Sequence, residues 1–542
     1  MISNRKTPWL PILAAASFAI FIWLNWFPPG GVDEQMTVEH TSVISKSEAT
    51  VIAENFITSH YDVDQLETMV TFNSYQNENG YLLREHKFDQ YKSSWKLSVP
   101  IDYYQVLTRD MKNNLEFKVN LQMEDGRIFG WELLNPTAYV GSTQPNNHNK
   151  IITDMGYAIE DFQVSSSSSP SEQVYVHQQE IGEATLALHL QHQGDLITSF
   201  LPVFNLPQSY STWKDRQDLL GGIWSLISLL LWFGLALAAI VYMAIYRKTM
   251  SFGRGVILTL AFLIPYLIHN VNMYPGYMQL ASGASEEAIF GVIVSQFIMM
   301  LMGITVYLTL VAGDGMWKKI DWHLWPTSQE KNYGSMIMSS MRKGYLICLI
   351  VLGFQSLLFF IAGKLFDIWA TSDPLTSTHN LLSPAYYPLL AWSAAISEEA
   401  VFRMFGIVFF VYIFRWMCNG LARITGWDFL QRTIIHLIPA VVLSNMIWAL
   451  GHTGYSIYPV YTRFIEVTLL GFIFAYAFLR YGLITAIFAH ASMDIIIMGM
   501  QIMMGDASYV LLGITYMLMP ALVAWSISFL WRWRNARSLA SS

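Results

Sequence analysis

Ten apolar stretches dominate the sequence and restrict it to one broad fold class. About 20 apolar residues in a row are enough to cross the hydrocarbon core of a bilayer as a helix. Only 13% of the residues are charged, against roughly 25% in soluble domains. We therefore expect an α-helical polytopic membrane protein. The predicted spans are residues 9–27, 219–246, 255–273, 288–312, 344–363, 386–414, 434–453, 464–480, 483–503 and 509–531.

The basic residues between the spans predict the orientation of the chain. With alternating spans, the segments on the side of the N-terminus hold seventeen Lys and Arg, whereas the short loops on the opposite side hold only Lys364 and Arg463. Short cytoplasmic loops carry an excess of Lys and Arg. We therefore expect a multi-pass cell-membrane protein with both termini in the cytoplasm and residues 31–217 outside it.

Residues 31–217 have the polar and charged content of a soluble domain. Ser45 and Glu48 form a capping-box pattern that opens a short helix. Polar and apolar residues alternate over 95–99 and 115–121, which indicates strands. We expect an extracytoplasmic α+β domain.

A serine run at 165–169, followed by proline, indicates a linker near 165–171 within this domain. The rest of the chain is divided by its apolar spans and motifs. The predicted order is a membrane anchor at 1–30, the extracytoplasmic domain at 31–217, membrane helices at 218–379, a motif core at 380–505, and the last helix with a tail at 506–542.

Three charged residues lie inside the sixth span. Charged side chains within a bilayer are costly and usually mark a functional cavity or a partner. Glu399 and Arg403 are spaced i,i+4, so they can pair on one helix face. Glu398 lies about 100° around the helix and has no such partner. It is therefore a candidate general base or acid, although a purely structural ion cluster is an alternative.

Two later spans add histidines to this set. Trp448 and His452 are one turn apart, and His490 and Asp494 share one face of the ninth span. With Glu398, these side chains have the chemistry needed to activate water and stabilise an oxyanion. His and carboxylates are also zinc ligands, so Glu398, His452, His490 and Asp494 are the candidate ligands of a divalent metal such as zinc. The H-E-x-x-H helix motif of soluble zinc proteases is absent.

The ordered set Glu-Glu-x-x-x-Arg, aromatic-x-x-x-His and His-x-x-x-Asp resembles the CPBP family, also called Abi. This family comprises CAAX-processing and bacteriocin-processing intramembrane endopeptidases, and the resemblance covers roughly residues 380–505. It implies that Glu398 and His452 activate water and that His490 with residue 494 supports the oxyanion. Glu399 and Arg403 would hold the site together. Asp494 departs from the Asn of the prenyl endopeptidases, and an ionised Asp can only accept hydrogen bonds.

The sequence therefore favours an intramembrane endopeptidase that acts on membrane-associated peptides or proteins. The alternatives are a non-catalytic scaffold or bacteriocin self-immunity protein of the same fold, and a proton-coupled transporter. A net charge of -7 is spread too thinly to indicate nucleic-acid binding. Residues 285–291 nearly repeat the Glu-Glu motif but lack its arginine. We interpret Glu286 there as part of an exposed helix start rather than a second active centre.

Overall fold

The computed structural model describes residues 8–27, 43–96, 99–139 and 148–540. The first described helix, α1 (Trp9–Trp26), is the predicted anchor. The basic residues that precede it in the sequence, Arg5 and Lys6, lie outside the described residues. The polar domain follows α1, and the remaining apolar helices follow that domain.

An antiparallel sheet forms the centre of the polar domain, in the order β1-β2-β3-β4-β8-β7-β6-β5. The helix α2 begins with the predicted capping box, in which the Ser45 side chain accepts from the Glu48 N–H and the Glu48 carboxylate accepts from the Ser45 N–H. The predicted α+β content is therefore confirmed. The helices are α2 (Lys46–His60), α3 (Gln76–Arg84), α4 (Phe88–Ser94) and α5 (His148–Asp154). The strands are β1 (Leu66–Ser74), β2 (Asp102–Asp110), β3 (Leu115–Gln122), β4 (Ile128–Leu133), β5 (Phe162–Val164), β6 (Glu172–His177), β7 (Thr185–Gln193) and β8 (Leu196–Asn205).

The structure of this domain differs from two local predictions. Over 95–99, Trp95 and Lys96 form the turn that ends α4 rather than a strand, and residues 97 and 98 lie outside the described part. Phe88, Tyr91 and Trp95 follow a helical spacing, and this buried face decides the local structure. The serine run at 165–171 forms the turn between β5 and β6 of the one sheet.

The helical part contains the membrane spans. Ten helical stretches among the described residues are long and apolar enough to cross a membrane, which confirms the predicted count. The helix α6 starts inside the polar domain, because its Tyr210 belongs to that domain's core. The helices are α6 (Gln208–Tyr246), α7 (Gly255–Asn272), α8 (Tyr274–Leu280), α9 (Ser285–Lys319), α10 (Tyr333–Phe366), α11 (Leu390–Glu398), α12 (Ile407–Thr425), α13 (Thr433–Leu450), α14 (Val460–Tyr481), α15 (Leu483–Gly505) and α16 (Val510–Ala540).

Burial separates the outer helices from the inner ones. Large apolar side chains such as Leu237, Ile257 and Leu511 are exposed on the outer helices, as expected for surfaces that face lipid. The helices that carry the motifs, from α11 to α15, contribute most of the buried core together with α9. The predicted site residues therefore lie in the best-packed part of the bundle.

The polar domain is joined to the loops next to the motif helices. The Asn380 side chain donates Nδ2–H to Phe72 O at 2.8 Å and accepts from Phe72 N–H at 2.6 Å, so it continues the exposed edge of β1. A two-residue strand, β9 (Trp369–Ala370), pairs with β10 (Ile457–Tyr458). These contacts tie together the loop before α11, the loop after α13 and the polar domain.

The first helix, α1, packs closely on α10, and one glycine makes this possible. A Cβ on Gly353 would lie 2.0 Å from the Ser17 carbonyl oxygen, which is backbone and cannot rotate away. Small residues allow such close helix packing in membranes. We expect Gly353→Leu to lower the stability by about 1–3 kcal/mol or more, seen as a lower thermal midpoint in detergent. Gly363→Leu on the same helix is the control, because its Cβ meets nothing within 4 Å; equal midpoints for both variants would contradict the prediction.

Candidate active site

The backbone changes from α to π geometry directly after α11. The segment Glu399–Gly406 is π-helical and wholly buried. Segments of this kind are rare and often occur at functional sites. Side chains of neighbouring helices satisfy its carbonyl groups: Trp317 Nε1–H donates to Met404 O at 2.8 Å, and Ser444 Oγ–H donates to Phe402 O at 2.6 Å. These bonds hold the wider turns in place.

Glu398, the last residue of α11, faces two histidines and a tryptophan. Trp448 Nε1–H donates to Glu398 Oε2 at 2.5 Å. His452 Nε2 lies 3.9 Å from Glu398 Oε1, and His490 Nε2 lies 3.7 Å from Oε2. His452 Nδ1 lies 3.0 Å from the Trp448 carbonyl oxygen. Because a carbonyl only accepts, Nδ1 carries the proton, and Nε2 of a neutral His452 presents a lone pair towards Glu398.

His490 is fixed from its other ring nitrogen by the buried ion pair. Its Nδ1 lies 3.0 Å from Glu399 Oε1, and its ring stacks on Phe474 with centroids 4.5 Å apart. Arg403 Nη1 lies 3.4 Å from the same carboxylate oxygen, which confirms the predicted i,i+4 contact. The guanidinium also lies over the Trp448 ring, 4.0 Å from its centroid. Glu399 thus links the arginine to the histidine.

Asp494 approaches the opposite side of the same imidazole. Its Oδ2 lies 3.6 Å from His490 Nε2, one helical turn away on α15. Since Glu399 already accepts from His490 Nδ1, the ring is oriented by Glu399 rather than by Asp494. Asp494 and Glu398 flank Nε2 together. The structure therefore brings the four predicted catalytic residues into one cluster.

This cluster lines a cavity of about 230 Å³ between the motif helices. The side chains of Glu398, His452 and Asp494 retain 16–18% exposure, whereas Glu399 and Arg403 have none. Six further polar or aromatic residues on the cavity wall are not predicted from the sequence. They are Trp232, Tyr266, Gln355, Ser397, Tyr455 and Arg463. For Arg463 the sequence carries one signal, its i,i+3 spacing to Glu466. The predicted span begins at residue 464 and therefore leaves Arg463 in a loop.

A family model described as type II CAAX prenyl endopeptidase Rce1-like matches residues 380–496. The matched segment contains all seven residues predicted for the site, from Glu398 to Asp494. Residues 380–496 are therefore similar to the Rce1-like family. The family assignment made from the motifs is confirmed for this segment, and a peptidase is supported at the level of the family. No curated protein and no solved structure matches the chain.

The sequence also predicts a divalent metal at this cluster. Across the described ranges, no three His, Cys, Asp or Glu side chains are arranged to hold a metal ion. The donor set therefore does not fit a metal in this arrangement.

The second Glu-Glu pair lies outside the Rce1-like segment. Glu286 and Glu287 are exposed in the first turn of α9, where carboxylates interact favourably with the helix dipole. Neither residue lines the cavity. We therefore expect Glu286→Gln to leave proteolytic activity within about twofold of the unmodified protein, because exposed substitutions rarely change a distant site. Loss of activity in this variant would show that we have assigned the active centre to the wrong Glu-Glu pair.

Proposed function

We propose that this protein is an intramembrane endopeptidase that hydrolyses membrane-associated peptide or protein substrates. The observation that supports the proposal best is the meeting of Glu398, His452, His490 and Asp494 at one cavity within the apolar helices. A purely structural ion pair would need only Glu399 and Arg403. It does not account for the further carboxylates and histidines that reach the cavity, so we favour catalysis over a scaffold.

Glu398 and His452 are proposed to activate the attacking water. The facing atoms, Glu398 Oε1 and His452 Nε2, are 3.9 Å apart, so one water can contact both. Glu398 would accept a proton from the water as its oxygen attacks the peptide carbonyl carbon, and the proton would then pass to the leaving amine. The Trp448 indole N–H holds the carboxylate in position through its second oxygen.

His490 is proposed to stabilise the oxyanion. As an imidazolium it would donate Nδ1–H to Glu399 and Nε2–H to the carbonyl oxygen of the tetrahedral intermediate. Arg403, which contacts Glu399, balances the charge of that carboxylate. A protonated Asp494 could add a second donor, and an ionised Asp494 would favour the imidazolium. In either protonation state, Asp494 therefore has a role next to His490.

The Rce1-like match and the position of the cavity support a substrate class. The matched family is described as a CAAX prenyl endopeptidase, and a cavity among membrane helices suits substrates that are themselves held in the bilayer. We propose prenylated or membrane-anchored peptides as substrates. We also propose, from the positive-inside bias, that both termini are cytoplasmic and that the sheet domain is extracytoplasmic.

Substituting His452 tests whether the site is an enzyme or a scaffold. His452 lies just after α13 at the cavity edge and is partly exposed, so His452→Asn should fold normally. We expect it to lower the cleavage rate of a prenylated peptide on the order of 10²-fold or more, as for the loss of a general acid or base. The matched control is His323→Asn, at an exposed histidine outside the cavity. Unchanged cleavage by folded His452→Asn protein would contradict the assigned role.

A further inference from the structure

The candidate catalytic residue His452 lies in a turn rather than in a helix. The turn connects the end of α13 to the start of α14. Connecting segments are usually more mobile than the helices they join, whereas a catalytic group must be held within about 0.5 Å of its working position. Neighbouring elements must therefore hold this turn in place.

Two serines of the long helix α6 bind the end of α13, from which the turn starts. Ser228 Oγ–H donates to Ile447 O at 2.8 Å. Ser225 Oγ lies 3.4 Å from the Leu450 carbonyl oxygen. Both carbonyls belong to the last turn of α13, where backbone acceptors have no partner within their own helix. The side chains of α6 therefore cap the helix end that leads into the His452 turn.

The turn itself packs on the backbone of α6 at Gly221. Thr453 Oγ1–H donates to Gly221 O at 3.1 Å. A Cβ on Gly221 would lie 2.5 Å from the Thr453 carbonyl oxygen, whereas a Cβ on Gly222 would meet no described atom within 4 Å. Because Thr453 directly follows His452, the close approach of the two backbones at Gly221 fixes the backbone next to the histidine.

Two further contacts hold the far end of the turn. Tyr458 O–H donates to Asp218 Oδ1 at 2.6 Å, and Val460 N–H donates to Gln217 Oε1 at 3.0 Å. Both acceptors lie on α6 about one helical turn before Gly221. The connection between α13 and α14 is therefore held by α6 at both of its ends and in between.

The start of α6 joins this support to the polar domain. Tyr210 belongs to the buried core of that domain. The Arg84 guanidinium, at the end of α3, lies 4.2 Å from the centroid of the Trp213 ring on α6. The Trp213 ring in turn lies 6.4 Å from the Tyr458 ring, measured between centroids. The polar domain thus holds the part of α6 that supports the turn.

We propose that α6, held by the polar domain, positions His452 for water activation, and that Gly221 is the positioning residue on which this depends. This inference rests on the proposed function. A side chain at residue 221 would push the Thr453 backbone away by on the order of 1 Å, because non-bonded heavy atoms pack at about 3.5 Å. His452 Nε2, now 3.9 Å from Glu398 Oε1, would move with that backbone. A misplacement of about 1 Å can lower a catalysed rate by about 10²-fold.

Gly221→Ala tests this assignment, and Gly222→Ala is the matched control. Both variants make the same change in the same helix, but only the first places a Cβ against the turn. The measurement is the single-turnover rate constant for an S-farnesylated peptide in detergent micelles. We expect Gly221→Ala to lower it by about 10- to 100-fold and Gly222→Ala to leave it within about twofold. An unchanged rate constant in Gly221→Ala would overturn the proposal.

The rate constant separates a displaced histidine from a loss of folded protein. A smaller folded fraction lowers the amplitude of a single turnover, whereas displacement of His452 lowers its rate constant. A fall in amplitude alone would therefore overturn the positioning role of Gly221. If Gly221→Ala does not fold, the pair Ser225→Ala with Ser228→Ala removes the two capping contacts without adding volume. We expect a rate constant at least about threefold lower for this pair, and an unchanged value would overturn the proposal.

A double-variant cycle with His452→Asn shows whether Gly221 acts through the histidine. Residues that act as one unit have effects that do not add. We therefore expect Gly221→Ala to lower the remaining rate of His452→Asn protein by less than about twofold. A double variant that loses the product of the two single effects would overturn the proposal, because Gly221 would then act independently of His452.

Hydrogen exchange followed by mass spectrometry examines the turn without any turnover. The N–H groups of Gly451, His452 and Thr453 donate to carbonyls of the last turn of α13, so weaker support from α6 should speed their exchange. We expect residues 451–460 to exchange faster in Gly221→Ala than in Gly222→Ala, and equal exchange would overturn the proposal. If this difference is found but the unmodified protein cleaves no peptide, the proposed function fails while the support of the turn by α6 stands.

Discussion

Glu398→Gln is expected to lower the rate of peptide hydrolysis by roughly 10²- to 10⁴-fold, the usual contribution of a general base. Glutamine has nearly the same shape, and its amide oxygen can still accept from the Trp448 indole. It cannot take a proton from water at neutral pH. The measurement is the single-turnover rate on a prenylated peptide, with the thermal midpoint measured in parallel.

The thermal midpoint should change little, because Glu398 is not part of the buried ion pair. A matched comparison is Glu286→Gln, which makes the same chemical change at the exposed Glu-Glu pair. Rates that fall equally in both variants would show that the effect is not specific to the cavity. A large loss in stability for Glu398→Gln would instead favour a structural role for this carboxylate.

Arg403→Met is expected to destabilise the protein by about 3–5 kcal/mol, the typical cost of removing one partner of a buried ion pair. Arg403 is fully buried, so Glu399 would be left as an unpaired carboxylate in the core. Methionine fills much of the same volume, which limits the contribution of a cavity. The readout is the thermal midpoint in detergent and the fraction of protein that elutes as a single species.

The double variant Glu399→Gln with Arg403→Met separates charge from packing. Replacing both partners removes the unpaired charge, so we expect part of the lost stability to return. Activity should stay low, since His490 loses the carboxylate that accepts from Nδ1. A double variant no more stable than Arg403→Met would contradict the view that the unpaired charge dominates the effect.

The sequence predicted the features that depend on local composition and spacing. Ten spans follow from the lengths of the apolar stretches, and the i,i+4 contacts of Glu399 with Arg403 and of His490 with Asp494 follow from helix geometry. The candidate catalytic residues could also be predicted together, because polar groups in apolar helices tend to meet.

The features that were missed arise between segments far apart in the chain. The hydrogen bond from Trp448 to Glu398 depends on how α13 packs against α11. The π-helical segment depends on donors from Trp317 and Ser444. Arg463 was assigned to a loop, since the start of α14 was predicted at residue 464. Such long-range contacts have no signature in a single sequence.

The central claim is tested most directly by mass spectrometry of a prenylated peptide incubated with the purified protein. The account predicts two fragments from the cut of one internal peptide bond, formed in the presence of a chelator as in its absence. Glu398→Gln protein should leave the peptide intact over the same period. Fragments formed equally by both proteins, or an intact peptide with the unmodified protein, would contradict peptide hydrolysis at this site.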